Sequence, residues 1–317
     1  MATDYLKVLD WLLTHQGRID RTEISSVHQW KSQYNIRTAG WKRPFDRAVI
    51  GGFIAGRTAY AFVAGYESAL RRLVPSLPEN AIVSFCVTED KGAHPASIHS
   101  LLSKGPDDSG WRLTGSKKFI TMANEAEFLL VAVSTGPAPD GKKILRMIMI
   151  RRDAPGIAVT PMAGLPFVTE ISHGTVAFHD VPVRDSDILP GDGYEAYIKP
   201  FRTMEDLHVM AAIMAYIFRI ASLYQWPTSM KERILCLLAS IHGLANEDPL
   251  APYMHVALGG LLQEINALIE STAQYWEAVD PAVRESWNRD KPLLKVAEQV
   301  RIKRLEKAWS KYTINEQ

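Results

Sequence analysis

A chain of 317 residues, 47% hydrophobic and 22% charged, is long enough for two or three domains and has the balance of a soluble globular protein. Its formal net charge of +1 gives no reason to expect nucleic acid or an anionic membrane as a partner. The two cysteines, Cys86 and Cys236, form no CxxC pair, which argues against a disulfide scaffold or a thiolate zinc site and suits a reducing cytoplasm.

The stretch from Met1 to Asp20 carries acidic residues in an amphipathic pattern, without the basic start and unbroken apolar run of a secretory signal. A cytoplasmic location is therefore expected. Residues 1–79 read as an N-terminal helical domain. Leu6, Leu9, Leu12 and Leu13 make one stripe. Asp20 or Thr22 offers a cap for a second helix, with Glu23 in its first turn, where a carboxylate suits the helix dipole. A third segment runs from Phe45 to Leu73 and contains Gly51, Gly52, Gly56 and Gly65. Each glycine costs about 1 kcal/mol of helix propensity relative to Ala, and close approach to another backbone is the expected compensation. Arg57, Glu67, Arg71 and Arg72 make the same stretch too polar for a membrane span. Pro75 and Pro78 close the helical region.

Residues 80–191 change to short β-branched or alternating runs, separated by turn signals such as GPDDSG, GPAPDGKK and RRDAPG. No stretch has room for crossover helices, so the pattern predicts an antiparallel sandwich or barrel. Helical periodicity returns over 192–317, with helices at roughly 194–224, 228–245, 251–279 and 291–312. Pro227, Pro249, Pro252, Pro281 and Pro292 mark the joints. The expected fold is therefore α+β: a helical domain, a central antiparallel β-domain and a C-terminal helical bundle. The histidines show no metal-binding spacing, and there is no GxGxxG or P-loop. The basic segment from Lys291 to Lys311 reads as a solvated helix face.

Three fragments in the β-region carry a more specific signal. They are Phe85-Cys86-Val87-Thr88-Glu89; Gly115-Ser116-Lys117-Lys118-Phe119-Ile120-Thr121; and Val176 to Val183 followed by Ile188-Leu189-Pro190-Gly191. In this order and spacing they resemble the β-domain of the acyl-CoA dehydrogenase family, and the chain looks like a shortened, divergent member. The resemblance implies FAD as cofactor. An isoalloxazine ring needs an apolar face and hydrogen-bond donors along its polar edge. The matching positions are Phe85, Val87, Thr88, Phe119, Ile120 and Thr121. Without the resemblance, the threonines read as ordinary sheet residues and Phe119 as sheet core. The family also implies an acyl-CoA or other small acyl substrate, an electron-transfer flavoprotein or similar acceptor, and a homodimer or homotetramer.

Family members take a proton from the substrate α-carbon with a carboxylate, while the β-hydrogen leaves as hydride to FAD. The usual C-terminal Glu-Gly segment is not found in this sequence. A minority place the base on the first helix after the β-domain, where Asp206 matches best and Glu205 is adjacent. Both residues also suit a plain helix-dipole role. Leu207 stands where the family usually has Arg. His94 replaces a small hydroxyl residue in the loop that often touches the CoA tail, so substrate contact at His94 is an altered one. The flavin-diphosphate segment Arg-x-x-Phe-Gly is replaced by Ser222 to Pro227, which has aromatics and no Arg. Three readings follow: an acyl-thioester dehydrogenase using Asp206 or Glu205, a flavin oxidase or monooxygenase acting on a non-thioester, and a non-catalytic accessory relative lacking the base.

Overall fold

The computed structural model describes residues 6–17, 24–105 and 110–313. It divides into two compact units: Leu73–Leu165 with Thr169–Arg202, and Met1–Arg72 with Pro166–Val168 and Thr203–Gln317. The helical segments expected as a first and a last domain thus gather into one unit, with the β-region as the other.

The β-unit contains β1 (Val83–Cys86), β2 (Leu101–Lys104), β3 (Trp111–Thr121), β4 (Phe128–Pro137), β5 (Lys143–Arg151), β6 (Ile157–Pro161) and β7 (His173–Val183). Their order across one sheet is β1-β4-β2-β3-β7-β6, with β5 also paired to β4. The β2–β3, β3–β7, β6–β7 and β4–β5 pairings are antiparallel, as the turn-rich sequence predicts. Two are not. β1 lies parallel to β4, with Val83 opposite Phe128, and β2 meets β4 in a parallel pairing at Leu101 and Ser134. Strand β2 has the short, half-polar sequence LLSK and gave no strand signal of its own. Alternation buries Leu113, Ile120, Leu129, Val131, Val133, Ile148, Val176, Phe178 and Val181 in one cluster that includes Cys86.

The helical unit holds α1 (Lys7–His15), α2 (Val27–Thr38), α3 (Pro44–Ile54) and α4 (Thr58–Leu73). After the β-region come α5 (Lys199–Leu223), α6 (Thr228–Ala245), α7 (Pro252–Ser271), α8 (Pro281–Asp290) and α9 (Glu298–Trp309). The proposed caps Asp20 and Thr22, with Glu23, lie outside the described residues. The second helix begins at Val27, where the Ser26 side chain accepts from the Gln29 amide. On α1 the buried positions are Val8 and Leu12, whereas Leu6 and Leu13 are exposed, so the expected leucine stripe is rotated. The segment from Phe45 to Leu73 splits into α3 and α4 at Ala55, whose backbone is extended. The predicted helix over 251–279 ends at Ser271, and a separate α8 begins at Pro281 with Asp280 capping Ala282 and Val283.

The glycines find their compensation here. A Cβ on Gly52 would stand 2.0 Å from the Ala212 carbonyl oxygen, and one on Gly65 2.4 Å from Val209 Cα. Helices α3 and α4 therefore meet the backbone of α5 directly, a contact only glycine permits. The stretch Tyr194–Leu223 is long and apolar enough to cross a bilayer, yet 89% of its most apolar window is buried inside the protein. That burial identifies α5 as a core helix.

Candidate functional site

In the β-unit the two family-like segments are brought together by backbone bonds. Beyond β1, Val87 is buried and Thr88 half-buried, and the Thr88 carbonyl accepts from the Lys118 amide at 2.8 Å. The Ser84 hydroxyl donates to the Thr121 carbonyl at 2.6 Å, joining the start of the first segment to the end of the second. Between these ties β3 bulges. Lys117 pairs with Val176, but Ile120 pairs with Gly174, so β3 carries an extra residue against β7. Phe119 sits in that bulge at φ 57° with 55% of its surface exposed. Ile120 remains buried beneath it. Among the described residues, the half-buried Thr88 and Thr121 hydroxyls have no protein partner. An outward-turned aromatic beside two uncommitted hydroxyls fits the apolar face and polar edge of a flavin ring. Phe85 is half-buried, its ring 4.3 Å from that of Phe201.

At the edge of the bulge, Lys117 belongs to a buried polar centre for which residue pattern alone predicts no role. The buried Glu89 carboxylate accepts from the His99 amide (2.8 Å), the Ser100 amide (3.0 Å), the Ser100 hydroxyl (2.9 Å) and the Lys117 ammonium (2.7 Å). Burial opposes the charge on Glu89, but Lys117 and the two amides outweigh it and hold its carboxyl below the usual range. Burial likewise draws the Lys117 ammonium below its ordinary value, against the pull of Glu89. Each partner makes the other tolerable in the interior. The pair ties the loop after β1 to β3, one residue from Thr88 and two from Phe119. A signal was available: Leu113 and Lys117 share one face of an alternating strand, so an inward lysine calls for a buried acid.

His94 is exposed, and its Nδ1 accepts from the Ala96 amide at 3.2 Å, capping the short turn Pro95–Ser97. The turn is fastened by Lys143, which donates to the Ala96 and Ile98 carbonyls at 3.0 and 2.6 Å.

The candidate bases lie on α5. Asp206, in the helical unit, is 4% exposed, and its Oδ1 accepts from the Arg301 Nε and Nη2 at 3.1 and 2.9 Å. Its Oδ2 has no hydrogen-bond partner, and Arg304 stands 4.0 Å away. The residue lines a cavity of about 190 Å³ with His255, Leu258 and Leu305. Glu205 is half-buried and does not line it. The basic segment that read as a solvated face therefore turns Arg301 inward. In place of the diphosphate-binding arginine motif, Trp226 is buried against Tyr275 and Trp276, with ring centroids 5.6 and 5.5 Å apart. Those aromatics are core residues.

Residues 84–181 match the family described as acyl-CoA dehydrogenase, middle domain. The chain is 33% identical over 98 residues to isobutyryl-CoA dehydrogenase of Dictyostelium discoideum, covering 30% of this chain and 23% of that protein. It is 30% identical over 172 residues to benzylmalonyl-CoA dehydrogenase of Aromatoleum aromaticum, covering 53% of this chain and 43% of that one. The matched stretch thus spans less than half the length of either relative. Among solved structures, FMN-bound TdsC from Paenibacillus sp. A11-2 shares the fold with a TM-score of 0.70 at 14% identity, over 98% of each chain.

Proposed function

We propose that this chain, a divergent member of the acyl-CoA dehydrogenase family, binds a flavin on its β-unit and oxidises a small acyl substrate. The observation that carries the reading is the bulge at Phe119. A left-handed backbone and an exposed aromatic are both unfavourable in an empty sheet, and both are reasonable if a flat ring lies against them. The Thr88 and Thr121 hydroxyls, with backbone groups of Val87 and Ile120, would hold the polar edge, while Phe85 supports the base of β1. When bound, the flavin supplies the two-electron acceptor for a hydride from the substrate. FAD is the assignment from the family; the FMN of the Paenibacillus protein makes identification of the released flavin part of the test.

The base role is assigned to Asp206 before Glu205. Asp206 lines a cavity and has one carboxylate oxygen without a hydrogen-bond partner, whereas Glu205 does not line that cavity. Arg301, which donates to Asp206 Oδ1 from two nitrogens, would fix that carboxylate in orientation. His94 would contact the substrate at the edge of its turn. An electron-transfer flavoprotein or similar acceptor and a homodimer or homotetramer complete the proposal by family likeness.

The test is the visible spectrum of the purified protein, followed by anaerobic addition of a broad acyl-CoA panel. A yellow protein bleached by a thioester supports the proposal. A colourless protein that takes up neither FAD nor FMN would leave a non-catalytic relative as the answer. A second reading, a flavin oxidase on a non-thioester acid, is favoured by the charged residues around Asp206. Flavin bound but unbleached by thioesters, with rapid oxygen consumption once reduced, would select it.

A further inference from the structure

We infer that Glu89 and Lys117 are positioning residues of the flavin site: their buried pair sets the spacing between Thr88 and Phe119 before any flavin arrives. The inference rests on the flavin reading above. The fully buried Lys117 ammonium donates to the Glu89 carboxylate at 2.7 Å and, at 3.4 Å, to the Val87 carbonyl. One cation thus grips the chain on both sides of Thr88. The next residue along β3 adds a third hold, because the Lys118 amide donates to the Thr88 carbonyl. Lys117 is also the last β3 residue in register with β7 before the bulge that carries Phe119. Both segments assigned to the flavin are therefore referenced to one buried nitrogen.

Stability alone does not call for charges at this place. Taking two charges out of water is unfavourable, and well-packed apolar residues of similar volume often serve an interior as well or better. What the pair adds is direction. The Glu89 carboxylate is held by the His99 amide, the Ser100 amide and the Ser100 hydroxyl as well as by Lys117, which fixes where the ammonium must point. A second pair, Lys118 with Asp90, joins the same two segments on the outside, where its side chains are 41% and 72% exposed. A solvated pair of that kind holds geometry weakly. The inner pair is the one able to fix Thr88.

Fluorescence titration of the full chain with FAD and FMN, read beside urea melts of the flavin-free protein, tests this. The double variant Glu89→Gln/Lys117→Met keeps an acceptor for the His99 and Ser100 amides and leaves no charge unpaired, so its circular dichroism should match the wild type. Once folded, it should bind flavin about tenfold or more weakly, and the absorption of what binds should move toward that of free flavin. Asp90→Asn, which breaks only the outer pair, should bind flavin within about twofold of the wild type. If the double variant does not fold, Ser100→Ala removes one donor from Glu89 with both charges in place, and should weaken flavin binding about threefold. The inference is overturned if the folded variant, or Ser100→Ala in its place, binds flavin with wild-type affinity and spectrum and differs only in its urea midpoint. It is overturned equally if Asp90→Asn loses as much affinity as the inner pair. A wild-type chain that takes up neither flavin removes the flavin reading itself, an outcome distinct from a wild type that binds and variants that bind as well.

Discussion

A phenylalanine at φ 57° on an open bulge sets local stability against ligand contact. Glycine adopts this conformation freely, whereas a left-handed residue with a side chain stores about 1 kcal/mol or more. Phe119→Gly should therefore raise the urea midpoint of the flavin-free protein, by up to about 1 kcal/mol in stability. The same variant should weaken flavin binding about tenfold in a fluorescence titration, through loss of the aromatic face. Weaker flavin binding without any gain in the free protein would show that the bulge is held by something other than its ligand. His208 gives a second prediction. Burial pulls its pKa from the ordinary 6.5 to about 4, against the hydrogen bond that its Nδ1 donates to the Met204 carbonyl at 2.7 Å. Between those values the unfolded chain takes up a proton that the folded chain refuses. Stability is thus unaffected by this group above about pH 6.5 and falls as pH drops toward 4, by roughly 3 kcal/mol in all. His208→Gln should flatten that part of the stability profile in urea melts across the same pH range.

Helices α3, α4 and α6 each contain glycine, and the same substitution should act in opposite directions on them. Helix propensity alone predicts that Gly→Ala stabilises by up to about 1 kcal/mol everywhere. On α6, Gly243 is exposed with nothing within 4 Å of an added Cβ, so Gly243→Ala should raise the melting temperature. On α3, a Cβ at Gly52 would lie 2.0 Å from the Ala212 oxygen, and Gly52→Ala should cost on the order of 3 kcal/mol. Paired thermal melts of the two variants check the sign of each. The sequence could mark these glycines as contacts but could not name the partner, which arrives more than a hundred residues later on α5. Elements built from local pattern were legible for the same reason that contacts were not. FLLVAVS shows itself as a strand through its β-branched, apolar composition, and Asp280-Pro281 could mark a helix start. LLSK could not show itself as β2, because its strand character depends on lying between β3 and β4. Asp206 was legible as a helical carboxylate, whereas its tie to Arg301, 95 positions away, was not.

Across the molecule, the two cysteines report on different regions. Cys236 is exposed on α6, whereas Cys86 is buried in the β-unit core, and burial pushes its thiol up to about 12 despite nearby Lys117. At pH 8 the native chain should therefore give one fast thiol with an aromatic disulfide reagent, and two in denaturant. Two fast thiols in the native protein would mean that the β-unit opens on the timescale of the reaction. The order of strands in that unit bears on how it forms. Most neighbours in the sheet are joined antiparallel, but Val83 runs parallel to Phe128, with β2, β3 and their turns intervening in the chain. During synthesis β1 emerges from the ribosome well before the strand that completes its ladder. Its apolar residues must wait, unpaired, for the rest of the sheet. Loop closure of that length slows folding and exposes an edge meanwhile, so the yield of soluble protein should depend on how quickly β4 follows β1 from the ribosome.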